Sequence, residues 1–467
     1  MYHSTRGNQL VKASEAILNG LAKDGGLYVL DQIPTLDYKT MMDDDYITMA
    51  SKILALFFDE FSYEEIYQEV KEGYRCFDTK NVVELKKTND VFFLELFHGP
   101  TLAFKDLALV ILPRLLKLSK NKLGIEKNIT ILTATSGDTG GAALNGFRNI
   151  DGVSIVVLYP NGGISNIQEA QMCSFRSKNA EVLAVDGNFD DCQSLVKEFF
   201  KNHKDLSITS ANSINIGRLI PQIVYYYYSY IHLLRTNQIK ADEKINFVVP
   251  TGNFGNIFAG FCAKKMGLPI HQLICASNKN SVLTDYFNSG IYNKNRPFYK
   301  TNSPSMDILI SSNLERFIYY ASNQDTNATK EKMEQLQTNG EYELKNPYNE
   351  IKAYSINEKE TEETIVKLYN ETGYLIDPHT AVAYGAYLKQ PNKDYKTVIV
   401  STASPFKFPK AILSAFGKDE VSNPLEWIKE KSQLNIPKVL NYPKVERKVV
   451  SLEAAEQTVL DVIKCFM

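Results

Sequence analysis

From residue 91 onward the chain alternates short apolar runs with segments of helical spacing. The runs at 91–96, 129–133, 154–159, 182–185, 245–250 and 397–402 are β-branched or aromatic, and most end in turns rich in Gly, Ser or Pro. Strands that are apolar on both faces predict parallel α/β sheets with covered faces. The first ninety residues differ: helical spacing at 14–18, 44–58 and 64–70 predicts a mainly helical unit, with Asp24-Gly25-Gly26 turning into a short strand. The stretch 278–307, rich in Asn, Ser and Tyr and holding two prolines, reads as a loop-rich insertion, and 326–363 as a charged, solvated helical face.

The expected organisation is a helical domain over 1–90, an α/β lobe over 91–240 and a second α/β lobe over 241–467. The first lobe is expected to include a smaller mobile domain around 130–210. The apolar run 219–234 is interrupted by Pro221, Gln222, Ser229 and His232. A span needs about 20 apolar residues, so this run predicts a buried helix.

Composition narrows the field of partners. In 467 residues, Lys+Arg 52 against Asp+Glu 54 leaves a net charge of −2, which gives no global attraction to nucleic acid or anionic membrane. Any bound anion must be held by a local site. The six cysteines are scattered without a CxxC pair or zinc spacing, as expected of reduced thiols in a cytoplasmic protein that binds no metal. The first residues lack the basic-then-apolar order of a signal peptide.

In parallel sheets, ligands bind beyond the carboxyl ends of the strands, so the turns there are where chemistry is expected. Thr135, Ser136, Gly137, Asp138 and Thr139 follow one strand and precede a helix expected over 142–148. They suit either an anion nest at a helix N-terminus or a capping turn with Asp138 or Thr139 as N-cap. Gly252, Asn253, Phe254, Gly255 and Asn256 follow another strand. This is neither a P-loop nor a dinucleotide fingerprint, but two glycines there can aim several main-chain amides at one phosphate. Lys105 lies at a loop-to-helix junction among Leu102, Ala103, Phe104 and Leu107, where desolvation favours the neutral amine that condenses with an aldehyde. A reactive lysine beside a lysine-free phosphate nest is what pyridoxal 5′-phosphate (PLP) requires. Two more turns, around Thr402 and over 212–222, offer a hydroxyl and the Arg218 guanidinium; either could equally be a cap or an ion-pair residue.

Taken in order, these segments resemble the threonine synthase family of fold type II PLP enzymes. The likeness begins with Tyr2-His3-Ser4-Thr5-Arg6-Gly7, continues through Glu95-Leu96-Phe97-His98-Gly99-Pro100-Thr101-Leu102-Ala103-Phe104-Lys105-Asp106 and reaches the segment 401–408. The resemblance implies that Lys105 condenses with the PLP aldehyde, Gly252 to Asn256 cradle the cofactor phosphate and Thr402 meets the pyridine nitrogen. It further implies that the loop from Thr135 to Thr139 holds the substrate carboxylate. Asn212, Ser213, Asn215 and Arg218 would hold the substrate's own phosphate. The segment 303–307 also matches, with no role assigned. The implied reaction turns O-phospho-L-homoserine and water into L-threonine and phosphate by γ-elimination and β-addition of water, in a monomer or homodimer. A phospho-lyase or dehydratase giving a 2-oxo acid, or a non-catalytic metabolite-binding relative, are the alternatives.

Two positions depart from the pattern. Asp138 stands where many relatives of the wider fold carry Asn, and a carboxylate facing the cofactor's phenolate oxygen must be protonated or displaced. Ser404 and Phe406 stand where other members place His and Ala.

Overall fold

The larger sheet has six strands, in the order Ile351–Ser355, Ile270–Ser277, Ile245–Pro250, Thr397–Ser401, Val91–Glu95 and Glu84–Thr88. All pair in parallel except the last, which runs antiparallel to its neighbour. The computed structural model describes residues 1–135, 137–203, 205–344, 349, 351–418, 420–441 and 446–467. A second, fully parallel sheet runs Val449–Ser451, Ala180–Asp186, Val153–Pro160, Ile129–Ala134 and Ile208–Thr209.

Helices cover these sheets, which is why Ile245–Pro250, Thr397–Ser401 and Val153–Pro160 are buried at every position. Each fully buried Val, Leu or Ile contributes roughly 1.5–3 kcal/mol. The segments 91–240 and 241–467 share sheets. Val91–Glu95 lies beside Thr397–Ser401, and the late strand Val449–Ser451 extends the smaller sheet.

The N-terminal residues form helices Ala13–Asn19, Tyr46–Phe57 and Tyr63–Tyr74 beside a three-stranded antiparallel sheet of Gly7–Val11, Tyr2–Ser4 and Tyr28–Leu30. The motif at 2–7 anchors this unit. Arg6 Nε and Nη2 donate to both Glu315 oxygens (2.8 and 2.7 Å), and Thr5 Oγ1 donates to the same carboxylate. Glu315 lies in the first turn of the helix Leu314–Ala321. A bidentate fork of this kind fixes orientation as well as distance.

Three expectations change. The stretch read as loop-rich holds a helix, Val282–Ser289, whose Val282, Leu283 and Tyr286 are buried. The charged stretch holds the edge strand Ile351–Ser355 between its helices Thr326–Thr338 and Glu358–Thr372. The helix expected over 142–148 starts earlier, as Asp138–Phe147, with Gly137 (φ 135°) as its N-cap in place of Asp138 or Thr139. The run 219–234 becomes a 3₁₀ turn, Ile220–Ile223, and the helix Val224–Arg235 with Tyr225 to Tyr228 buried. Among the described residues no helix is long and apolar enough to cross a membrane.

Candidate active site

The turns after Val91–Glu95, Thr397–Ser401, Ile245–Pro250 and Ile129–Ala134 converge. The first two are zipped together: Phe104 N–H donates to the Thr402 carbonyl (2.8 Å) and Ser404 N–H to the Leu102 carbonyl (3.0 Å). Leu102 takes the left-handed conformation (φ 58°) that turns the chain into the helix Lys105–Leu109. Asp106 sets this turn, its buried carboxylate accepting from Thr101 N–H (2.7 Å) and Thr101 Oγ1 (2.8 Å). Burial pushes Asp106 up to about 6.

Lys105 is therefore presented from a rigid corner, its side chain 14% exposed. Burial pulls its amine down to about 8; Asp138 opposes the shift, while Lys407 and Arg218 add to it. The neutral amine is the nucleophile. Capture of an aldehyde by the cofactor-free chain is thus expected to accelerate as pH rises toward about 8 and to level off above it. A rate still climbing toward the ordinary lysine value of 10.5 in a stopped-flow pH series would contradict the desolvated amine.

Asp138 lies 3.9 Å from Lys105 Nζ, and its other oxygen is 3.1 Å from Lys407 Nζ and accepts from Gln168 Nε2 (2.8 Å). Burial alone would push this carboxyl up. Lys407 and Lys105 overcome it and hold Asp138 well below the usual carboxylate range. In the cofactor-free chain the Asp138 charge is thus balanced by a second buried lysine, Lys407.

The turn after Ile245–Pro250 has the shape of a phosphate cradle. Phe254 adopts φ 63°, costly for a bulky residue, and is held by stacking on Phe287 (5.7 Å) and edge contact with Phe317. The helix Gly255–Lys265 begins immediately after it. Gly252 cannot be replaced cheaply, since a Cβ there would sit 2.6 Å from the Ser305 carbonyl oxygen. Asn256 is buried, and its Oδ1 accepts from Tyr225 and Tyr226 hydroxyls (2.7 and 2.8 Å). That fixes the amide so that Nδ2 is the free end. It has no partner among the described residues. An orphaned buried donor beside a helix N-terminus is what a phosphate would satisfy, so these residues fit the phosphate end of PLP. Gly252, Asn253 and Gly255 keep some exposure at the lip.

Arg218 shows the same deficit. It is 5% exposed, one Nη donates to the Ala211 carbonyl (2.7 Å), and its Nε has no partner among the described residues. Ser213 is half-buried and Asn212 exposed. Asn215 is engaged within the fold: Nδ2 donates to the Ile17 carbonyl (2.8 Å) and Oδ1 accepts from Gly217 N–H (2.9 Å). It tethers this loop to the N-terminal unit. Asn313 ties the loop to the cradle, its Nδ2 donating to the carbonyls of Ser213 (3.2 Å) and Asn253 (3.0 Å). Arg316, fully buried, clasps Asn313 Oδ1 and the carbonyls of Tyr28 and Ile214.

On the opposite side, Thr135 Oγ1 accepts from Gly137 and Gly140 N–H groups (3.0 and 2.9 Å), which leaves its own O–H to donate. Thr139 is half-buried in the helix; Ser136 lies outside the described residues.

A model of pyridoxal-phosphate dependent enzymes matches residues 75–403, flanked by models of the threonine synthase N terminus over 1–74 and the threonine synthase C-terminal region over 380–463. Threonine synthase of Saccharomyces cerevisiae is 37% identical over 459 residues, covering 89% of each chain. The chain belongs to the threonine synthase family. The crystal structure of PLP-bound threonine synthase from Brucella melitensis superposes with a TM-score of 0.89 at 36% identity over 99% of both chains. That of yeast threonine synthase gives 0.90 at 34%, covering 99% of this chain and 98% of that one. The fold is thus the fold type II architecture of PLP-dependent enzymes.

Several residues around Lys105 and Asp138 are given no role by the sequence. Ser305 Oγ accepts from Lys105 Nζ (3.2 Å) and donates to Asp138 Oδ2 (3.2 Å). Its N–H donates to His379 Nε2 (3.2 Å), and His379 Nδ1 is 2.7 Å from the buried Asp377. Lys407 and Gln168 complete the surround of Asp138.

Proposed function

We infer that this member of the threonine synthase family converts O-phospho-L-homoserine and water into L-threonine and phosphate, with Lys105 as the PLP lysine. The observation that carries the reading is the buried Lys105 amine, lowered to about 8, facing a phosphate cradle with an unpartnered Asn256 amide. When bound, PLP supplies the electron sink for negative charge beside the amino-acid carbon. The main chain of Gly252 to Gly255 and the Asn256 amide would hold its phosphate, and Thr402 would stand at its ring nitrogen. A hydroxyl there, in place of a carboxylate, would leave that nitrogen largely unprotonated. Asp138, kept charged by Lys407, would sit on the ring's phenolate side. Lys105 would hold the cofactor's aldehyde, and its free amine would carry protons to and from the amino-acid carbons. The Thr135 O–H, with Gly137 and Thr139 beside it, would take the substrate carboxylate.

Arg218, flanked by Asn212 and Ser213, would take the substrate's phosphate, where its unpartnered Nε leaves room for a second charge-assisted bond. Arg218→Ala is expected to lower kcat/KM for O-phosphohomoserine by about 100-fold, the loss of two such bonds. Arg218→Lys is expected to recover only part of it, since an ammonium cannot form the fork. Unchanged kcat/KM in steady-state assays of Arg218→Ala would remove the guanidinium from this role.

The reaction is tested by incubating the PLP-loaded protein with O-phosphohomoserine and identifying the amino-acid product. Threonine and phosphate are expected in equal amounts. Accumulation of a 2-oxo acid and ammonia would identify a phospho-lyase or dehydratase, and binding without turnover a metabolite-binding protein.

A further inference from the structure

We propose that Ser305 is a catalytic residue of this site: its hydroxyl, turned by Asp138 and seated by the Asp377–His379 pair, aims the Lys105 amine. The inference rests on Lys105 being the PLP lysine. A serine hydroxyl has one proton to give, and here it goes to Asp138 Oδ2 (3.2 Å). Lys407, 3.1 Å from the other oxygen, keeps that carboxylate charged. The Ser305 proton is therefore committed, and its lone pair is what meets Lys105 Nζ at 3.2 Å. An amine donating one N–H to a fixed acceptor has its own lone pair turned in a defined direction, and orientation of this kind is a large share of what an active site supplies.

The hydroxyl is only as well placed as its main chain. Ser305 sits in a short 3₁₀ turn, Pro304–Met306, between two constraints. Its carbonyl packs against Gly252 of the cradle, at the spot a Cβ would fill. Its N–H donates to His379 Nε2. That ring nitrogen can accept only if the other one carries the proton, and Nδ1 lies 2.7 Å from Asp377 Oδ2. Asp377 is fixed in turn by the N–H groups of His379 and Thr380 (3.0 Å each) and the Thr380 hydroxyl, at the start of the helix Pro378–Leu388. Asp377 thus selects the tautomer, His379 pins the peptide and the peptide sets the hydroxyl. His379 and Asp377 act as positioning residues through Ser305.

The test is PLP capture by the cofactor-free chain, followed by absorbance, with borohydride trapping to locate the label. Binding of 4-deoxypyridoxine 5′-phosphate, which lacks the aldehyde, reports on the cradle alone. Ser305→Ala is expected to capture PLP about tenfold more slowly, the loss of one hydrogen bond that orients the neutral amine, with deoxypyridoxine phosphate affinity unchanged. His379→Leu is expected to slow capture to the same degree. His379→Gln, whose amide can still accept from Ser305 N–H and donate to Asp377, is expected to restore most of the rate. Parental capture rates in Ser305→Ala overturn the proposal, as does His379→Gln behaving like His379→Leu. Equal loss of capture and of deoxypyridoxine phosphate binding in Ser305→Ala also overturns it, leaving Ser305 a structural residue. Label on a lysine other than Lys105 in the parent chain is a separate failure, that of the underlying assignment.

Discussion

Lys105→Ala is expected to abolish turnover, with kcat/KM for O-phosphohomoserine falling at least about 10⁴-fold, the upper range for losing a positioned acid–base group. The loss has two sources. On the proposed assignment the side chain is the amine that joins the cofactor, and the same nitrogen is the one that would move protons. The cradle is built from other residues, so the variant is expected to keep noncovalent affinity for PLP. Bound cofactor would then absorb as the free aldehyde, and borohydride would fix no label. Lys105→Arg separates charge from nucleophilicity. It keeps a cation near Asp138 yet has no amine that condenses at neutral pH, so it is expected to be as inactive as the alanine variant. Residual turnover within 100-fold of the parent in either variant would move the chemistry to another lysine, and the buried Lys407 is the candidate nearest Asp138.

How far this site was legible in the sequence depended on how local each contact is. The strands Val153–Pro160, Ile245–Pro250 and Thr397–Ser401 are buried throughout and read as unbroken apolar runs. Ile270–Ser277 carries His271 and Gln272 directly after its first residue, which breaks the apolar run, although it lies inside the same sheet. Ile351–Ser355 is an edge strand, exposed in part and set among charged residues, so its five positions read as part of a solvated surface. At the site, Lys105 and the cradle at 252–256 are each a strand-end turn and could be found from their own neighbours. The groups that tune them could not. Ser305 and Lys407 reach Asp138 from distant parts of the chain and His379 acts through Ser305, and no spacing rule links a buried lysine to a carboxylate 269 positions away. The Asp377-Pro378-His379-Thr380 turn did carry a local signal: an acidic N-cap before a proline at the first helical position, with a histidine next. Only the fold shows that the histidine faces Ser305.

Lys407→Met is expected to have the second largest effect, and on stability as much as on chemistry. The Lys407 side chain is 3% exposed and Asp138 7%, so the pair is buried. Removing one partner of a buried pair strands the other charge, at a cost of about 3–5 kcal/mol. Lys407 also donates to the Thr101 carbonyl, in the turn that Asp106 holds ahead of Lys105, so the variant loosens the lysine's platform as well. The sign of the accompanying pH shift follows from the charges. Lys407 pushes the Lys105 amine down and Asp138 pulls it up. Without Lys407, the midpoint for aldehyde capture should move above about 8, and less neutral amine is present at neutral pH. Asp138, deprived of its main counter-charge, should protonate more readily, because burial then meets less opposition. Denaturant unfolding of Lys407→Met, Asp138→Asn and the double variant resolves whether the pair is the cause. The double variant is expected to be more stable than Lys407→Met alone, since Asn leaves no charge stranded. Strictly additive losses would mean that the two side chains do not depend on each other, and Asp138 would then need another explanation for staying charged when buried.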